Sequence, residues 1–199
     1  MPSGEEKAWG ILSQQDPDNV CRRAQVSYDR SSGRYTLPSF GMDFSLDPLA
    51  RTIAGTSPDS ERLLQRIGYF FRLSALVYLT AAKECALTGR LIKPEDLSGG
   101  HLFFRGSHVL PLSNLAEKYH NNLDAFIQKG ISLAGGKANF GDAAFRLLPF
   151  PRIPAIIIFW LGDDEFPPRA NLLFDSSSEI QLPVDILWSI AMMSVIAMM

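Results

Sequence analysis

Cysteine is scarce in this sequence, which has only Cys21 and Cys85 among its 199 residues. Two cysteines so far apart are too few for a disulfide scaffold, a zinc ribbon or an iron–sulfur cluster held by this chain alone. Cys85 falls on the apolar stripe of a predicted helix, and this position favours a buried, inert thiol over a reactive one.

Runs of basic residues are absent, because 19 Lys and Arg are scattered among 21 Asp and Glu, for a net charge of -2. The sequence therefore lacks the electrostatic footprint of a nucleic-acid-binding protein. The first residues are acidic where a signal peptide would be basic. The apolar segment from Ile186 to the end is shorter than the roughly 20 residues of a membrane-spanning helix. We predict a cytoplasmic protein with no nucleic-acid partner and no membrane span.

The usual motifs of catalysis and cofactor binding are missing as well. Neither GxxxxGK[ST] nor GxGxxG occurs, and no serine lies in a GxSxG elbow. The three histidines, His101, His108 and His120, form neither HxH nor HExxH, so surface or hydrogen-bonded roles are favoured over metal ligation. No metal site is predicted, and the cofactor, if there is one, is not encoded by a recognisable motif.

Apolar residues make up 46% of the chain and charged residues 20%, which is sufficient for one sizeable core. Strand patterns come in runs and do not alternate with helices, which is typical of an α+β fold. We predict a mostly antiparallel sheet packed against one long central helix, with additional shorter helices and a C-terminal helix. Residues 1–24 are predicted to be an N-terminal helical extension, and residues 25–199 a single α+β domain.

Hydrophobic spacing and turn residues place the individual elements. Apolar residues at spacings of three and four predict a long helix from Asp59 or Ser60 to about Ala86, with Gly89 as its stop. Short alternating runs over residues 24–47 predict a meander of three antiparallel strands. The other predictions are helices over 5–15, 94–97, 115–119, 123–133 and after Pro183, a strand or loop over 101–104, and strands over 143–148, 153–161 and 170–174.

Three adjacent carboxylates, residues 163–165, follow the most apolar predicted strand. They cannot all be buried, because like charges so close raise one another's pKa or require a cation. In one interpretation they join Asp142 and Asp175 around a hard cation or act as a general acid. In the other, Gly162 and Asp163 form a solvated turn after the buried strand, and the following prolines prevent further pairing. The sequence favours the turn.

Short motifs in the second half of the chain form a specific pattern: Gly-Asp-Ala, a Pro-x-x-Pro step into an apolar strand, Trp-x-Gly-Asp-x-Glu-Phe-Pro, and Leu-Phe-Asp-x-Ser. This pattern resembles a prokaryotic family, domain of unknown function 3786, and upstream segments such as Leu87-Thr88-Gly89 extend the resemblance over most of the chain after about Gln25. Asp164 occupies a variable position of the pattern. The candidate site residues among the motif positions are Asp142, Trp160, Asp163, Glu165, Phe166 and Asp175.

The resemblance implies an anaerobic bacterial or archaeal setting. Some relatives carry a cysteine-rich iron–sulfur module like that of corrinoid proteins. This chain has no such cysteines, so any link to iron–sulfur or corrinoid chemistry would come through a partner.

Three functions are consistent with the sequence. The first is an accessory domain that binds a ligand or cofactor in a groove between sheet and long helix, lined by the aromatic residues Tyr69, Phe70, Phe103, Phe104, Phe140 and Trp160. The second is a small enzyme that uses Asp142, Asp163 and Glu165 for acid–base or cation-assisted chemistry. The third is a structural module that forms a homo-oligomer through its apolar C-terminal helix. The sequence identifies neither the small ligand nor the protein partner.

Overall fold

Eight α-helices and two antiparallel sheets are formed by residues 3–199, the part of the chain that this computed structural model describes. The α+β class is therefore confirmed. The helices are α1 (Gly4–Leu12), α2 (Pro17–Ala24), α3 (Pro58–Ala81), α4 (Gly100–Phe103), α5 (Leu112–Tyr119), α6 (Leu123–Ser132), α7 (Ser178–Gln181) and α8 (Val184–Met198). The strands are β1 (Ser27–Asp29), β2 (Arg34–Ser39), β3 (Met42–Asp47), β4 (Thr52–Gly55), β5 (Leu91–Ile92), β6 (Gly136–Ala138), β7 (Ala143–Phe150), β8 (Ile153–Trp160) and β9 (Arg169–Asp175).

The first sheet is a meander with the strand order β1-β2-β3-β4. Burial alternates along β2, where Tyr35, Leu37 and Ser39 face the interior, as expected for a sheet with one solvated face. The three predicted strands are present as β1, β2 and β3, and β4 is an additional short strand that the sequence did not reveal. The turn before β4 contains Arg51 in the left-handed conformation, with a φ of 53°. No glycine marks this turn, so the sequence pattern did not reveal it.

The second sheet has the order β5-β9-β8-β7-β6, with every neighbouring pair antiparallel. Its central strand, β8, is buried on both faces. One set of alternate side chains packs in the main core, while Ile156 and Ile158 form a small cluster with Ala144 on the outer face. The three predicted strands of this sheet are present, and β5 and β6 are short edge strands that the sequence did not reveal.

Helix α3 is the long central helix. It begins with a capping box in which Ser57 and Ser60 exchange hydrogen bonds between side chain and backbone, followed by Pro58 at the first helical position. It packs against α1, α8 and the meander, which explains its wide apolar stripe.

The predicted end of this helix at about Ala86 was wrong, because α3 ends at Ala81. Beyond it, the side chain of Gln181 accepts a hydrogen bond from Lys83 N–H (2.8 Å) and donates one to the Lys83 carbonyl (3.0 Å). These distant partners replace the helical hydrogen bonds that the segment would otherwise need. Cys85 therefore lies in a connector, where its thiol is free and half-buried.

The N-terminal region forms two helices. The predicted helix over 5–15 ends earlier, and Asp16 caps the start of α2 by accepting hydrogen bonds from Asp18 N–H and Asn19 N–H. Trp9 of α1 is buried in the same core as α3. The boundary at residue 24 stays a prediction, and residues 1–2 of that extension lie outside the described residues.

Two further predictions concern residues 101–104 and the C-terminus. Residues 101–104 lie largely in α4, so the prediction of a strand or loop there was wrong. The C-terminal helix is present as α8, whose Ile190, Met193 and Ala197 are fully buried within this chain. This packing explains the apolar character of α8 without a second copy, and oligomerisation through it stays a prediction. Within residues 3–199, no helix is long and apolar enough to cross a membrane.

Candidate functional site

The acidic segment between β8 and β9 is a turn capped by Asp163. The backbone N–H of Asp163 donates to the Phe166 carbonyl at 2.9 Å. In return, Asp163 Oδ1 accepts hydrogen bonds from the N–H groups of Phe166 (2.7 Å) and Glu165 (2.9 Å). The bond from Phe166, with that from Glu165, lowers the pKa of Asp163, because both favour the charged carboxylate. One oxygen of Asp163 is thus committed to holding the turn together.

Asp142 has a related role in the loop between β6 and β7. Its Oδ2 accepts a hydrogen bond from Leu161 N–H at 2.7 Å, and its own N–H donates to the Phe159 carbonyl at 3.0 Å. The preceding Gly141 has a φ of 53°, and a Cβ there would lie 2.5 Å from the Phe159 carbonyl oxygen. Only glycine allows this close approach. Asp142 and Gly141 therefore fasten the β6–β7 loop to the end of β8.

The remaining motif residues of this region surround the same turn. Trp160 lies on the outer face of the second sheet, with the guanidinium carbon of Arg169 at 4.6 Å from its ring centroid. Glu165 is exposed, and Phe166 is 65% exposed. The structure therefore places Trp160 at the end of β8, next to the β6–β7 loop that carries Asp142 and the β8–β9 turn that carries Asp163, Glu165 and Phe166.

Asp175 lies elsewhere, at the opposite end of β9, with 3% of its surface exposed. Its carboxylate accepts hydrogen bonds from the N–H groups of Gly89 (2.7 Å), Ser177 (2.9 Å) and Thr88 (3.0 Å) and from the Thr88 hydroxyl (2.9 Å). Burial raises the pKa of Asp175, but the hydrogen bonds from Ser177 and Thr88 outweigh it and hold that pKa well below its usual range. Asp175 fastens the connector after α3 to β9.

The carboxylates do not form a ligand set for a cation. Among residues 3–199, no group of three or more His, Cys, Asp or Glu side chains is arranged to hold a metal ion. Asp142 does line a small hollow of about 160 Å³, together with Lys137 and Asn139. Asp142 and Asp163 each use a carboxylate oxygen to accept backbone hydrogen bonds. This role fits the interpretation of the acidic segment as a turn after the buried strand.

Three of the predicted groove aromatics come together on a surface of α3, α4 and α8. Phe70 packs edge-on against Tyr69, with centroids 5.0 Å apart, and against Trp188, 5.5 Å apart. Phe103 stacks on His108 at 4.5 Å, and His108 meets Trp188 at 4.9 Å. We call these five residues the aromatic surface.

Much of this region faces solvent. Tyr69 is 87% exposed. Leu102 and Val109, the sequence neighbours of Phe103 and His108, are 70% and 62% exposed. The other predicted groove residues are not part of it. Phe104 is buried in the core, while Phe140 and Trp160 belong to the β6–β7 loop and the outer face of the second sheet. The six predicted groove residues therefore do not line one continuous surface.

Trp188 and His108 complete the aromatic surface and were not singled out by sequence reasoning. The Trp188 indole N–H donates to the His108 carbonyl at 2.8 Å, which ties the segment after α4 to α8. A tryptophan within an apolar helix needs a hydrogen-bond partner for its indole N–H, and this requirement could have drawn attention to Trp188 in the sequence. Its partner could not be found from spacing alone, because the two residues are 80 positions apart.

The fold defines the class of the protein as an α+β domain with a four-stranded meander and a five-stranded antiparallel sheet around a long helix. The sequence model of the family described as "Domain of unknown function (DUF3786)" matches residues 16–197, so the chain belongs to this family and the resemblance is confirmed. Neither the curated proteins nor the solved structures gave a match.

Proposed function

We propose that this protein is an accessory domain that binds a partner protein through its aromatic surface. The partner would present an apolar segment flanked by carboxylates. The observation that carries the proposal is the solvent exposure of Tyr69, Leu102 and Val109 beside the rings of Phe103 and Trp188, which meet edge-on. Aromatic side chains exposed in this way are typical of the sites that contribute most binding energy at protein interfaces.

A protein segment fits this region better than an enclosed cofactor. Pockets for small molecules bury most of the ligand, and their lining side chains face inwards. Tyr69, 87% exposed, projects outwards, as a side chain that inserts into a partner would. Because the ring of Tyr69 already packs against Phe70, little side-chain entropy would be lost on binding.

Charges at the margin favour an acidic partner. Arg72 lies one helical turn after Tyr69, and Arg105 follows Phe103 by two residues; both are exposed. Within residues 3–199, neither has a carboxylate within the 4.0 Å of a salt bridge. The first turn of α8 carries one negative charge, on Asp185, against the two positive charges of Arg72 and Arg105. The excess of arginine would steer a carboxylate-bearing segment towards the surface and orient it there.

The resemblance to this family suggests what such a partner does. A partner that carries the iron–sulfur or corrinoid chemistry, in an anaerobic bacterium or archaeon, would need no cofactor in this chain. Both thiols, Cys21 and Cys85, are free, as suits the reducing cytoplasm that the sequence predicts. We extend the proposal accordingly to a cytoplasmic partner in corrinoid or iron–sulfur metabolism.

The test is selection of binding peptides from a random phage-displayed library on the full chain, followed by fluorescence anisotropy with each synthetic peptide. We expect the selected peptides to combine apolar residues with Asp or Glu. Tyr69→Ala and Leu102→Ala should each weaken binding by about tenfold or more while leaving thermal stability unchanged, because both side chains are exposed. Leu49→Ala is the matched control, since Leu49 is also an exposed leucine but lies between β3 and β4 of the meander.

Peptides whose affinity is the same for the wild-type chain and for both variants would overturn the proposal. The corrinoid extension is tested separately, by thermal denaturation with and without added corrinoid. A stabilisation that persists in Tyr69→Ala would place corrinoid binding in this chain rather than in a partner.

A further inference from the structure

A cleft of about 360 Å³ lies between the beginning of α3 and the end of α6. Its lining is mixed. Arg62, Arg66 and Lys129 supply positive charge, and Met42, Leu63 and Leu133 supply apolar surface. Arg62 and Arg66 are one turn apart on α3, so their guanidinium groups are presented on the same side of the helix.

The positive charge of this cleft is only partly compensated. Asp59 also lines it, but its carboxylate is paired with Arg62. Among the described residues 3–199, no carboxylate lies within 4.0 Å of the charged nitrogens of Arg66, Lys118 or Lys129. Arg66 donates one hydrogen bond to the Ile196 carbonyl at the end of α8, at 2.9 Å, and keeps its other donors.

The positive charge of Arg66 acts on two lysines, Lys129 in the cleft and Lys118 outside its lining. Burial lowers the pKa of Lys129, and the charges of Arg66 and Lys118 lower it further. Burial also lowers the pKa of Lys118, with Arg66 as the second cause. Because Lys129 is half-buried, positive charge close to it is unfavourable, and an anion bound beside it would relieve this repulsion.

We propose that this cleft binds a small ligand that has a phosphate or carboxylate group on an apolar body. Arg66 and Lys129 would hold the oxygens, since guanidinium and ammonium groups form strong charge-assisted hydrogen bonds with oxyanions. The Ser132 hydroxyl, which also lines the cleft, donates to the Lys129 carbonyl at 2.8 Å. Met42, Leu63 and Leu133 would contact the apolar body.

This site is independent of the aromatic surface. No residue of the aromatic surface lines the cleft, and the two involve different helices apart from α3. The two proposals can therefore fail separately. A variant at Tyr69 should leave anion binding unchanged, and a variant at Lys129 should leave peptide binding unchanged.

The experiment is isothermal titration of the full chain with phenyl phosphate, benzoate, inorganic phosphate and phenol. We expect phenyl phosphate or benzoate to bind, inorganic phosphate to bind about tenfold more weakly or worse, and phenol not to bind. The better of the two aromatic anions identifies whether the site prefers phosphate or carboxylate. Affinity should fall with added salt, because the interaction is electrostatic.

Lys129→Gln should weaken anion binding by about tenfold or more, and Lys129→Arg should retain it. The unliganded Lys129→Gln chain should fold normally, because the substitution removes charge repulsion. Lys93→Gln is the matched control, since Lys93 is an exposed lysine outside the cleft. The proposal is wrong if neither aromatic anion binds, if phenol binds equally well, or if Lys129→Gln binds as the wild type does.

Discussion

The Asp175 carboxylate accepts a hydrogen bond from the backbone N–H of Gly89 at 2.7 Å, although the two residues are 86 positions apart. This contact, with those from Thr88 and Ser177, holds the connector after α3 against the end of β9. The connector has no regular structure from residue 82 to residue 90, so Asp175 replaces the hydrogen bonds that a helix or sheet would supply.

Asp175→Asn should destabilise the protein by about 3 kcal/mol. The amide has one oxygen where the carboxylate has two, and its NH₂ group would face the N–H groups of the connector. Urea denaturation followed by circular dichroism would measure the loss. Asp164→Asn is the matched control, because Asp164 is exposed and should change stability little.

Stability should also depend on the ionisation of Asp175. Its pKa in the folded chain lies below the ordinary value of 3.8, so its contribution is fully present above that value and is lost as the pH falls. We expect the stability of the wild type to fall more steeply below about pH 4 than that of Asp175→Asn. Parallel stability curves for the two proteins from about pH 5 to about pH 2 would contradict this assignment.

The capped turn should lose its order when Asp163 is replaced by Ala. The N–H groups of Phe166 and Glu165 would then exchange with solvent faster, since both donate to Asp163 Oδ1. Hydrogen exchange measured by NMR would show this change, and Asp164→Ala should leave both rates unaltered. Equal exchange rates in the two variants would mean that Asp163 does not cap the turn.

Gly141→Ala should destabilise the protein by about 2 kcal/mol or more. Its positive φ disfavours any side chain, and the added Cβ would lie 2.5 Å from the Phe159 carbonyl oxygen. The tryptophan fluorescence spectrum should shift as the loop moves, because Trp160 lies next to Gly141. Gly10→Ala is the control, because a Cβ added there, in helix α1, would meet nothing within 4 Å, and it should stabilise by up to about 1 kcal/mol.

Trp188→Phe should loosen the segment around His108 and cost about 1 kcal/mol. The variant keeps an aromatic ring but loses the N–H that donates to the His108 carbonyl. Faster hydrogen exchange of residues 100–110, measured by mass spectrometry, is the expected signature. Trp160→Phe is the comparison, and unchanged exchange in both variants would show that the indole hydrogen bond does not hold the segment.

Strands and helices with strong periodic patterns were predictable. Helix α6, the strand β8 and the apolar helix α8 follow from hydrophobic spacing, because each buries a face that its own sequence defines. The Asp163 turn was predictable for the same local reason, since Gly, Asp and Pro favour a chain reversal. The two short edge strands, β5 and β6, were not, because they exist only through pairing with a neighbour.

The sequence by itself determined the α+β class, the order of the main elements and the family, because these depend on local patterns and on motif residues. The tertiary structure decided where α3 ends, through the bonds from Gln181 to Lys83, and which aromatic residues meet. It placed Tyr69, Phe103 and Trp188 on one surface and separated them from Phe140 and Trp160. Such encounters join residues far apart in the chain, and local spacing carries no information about them.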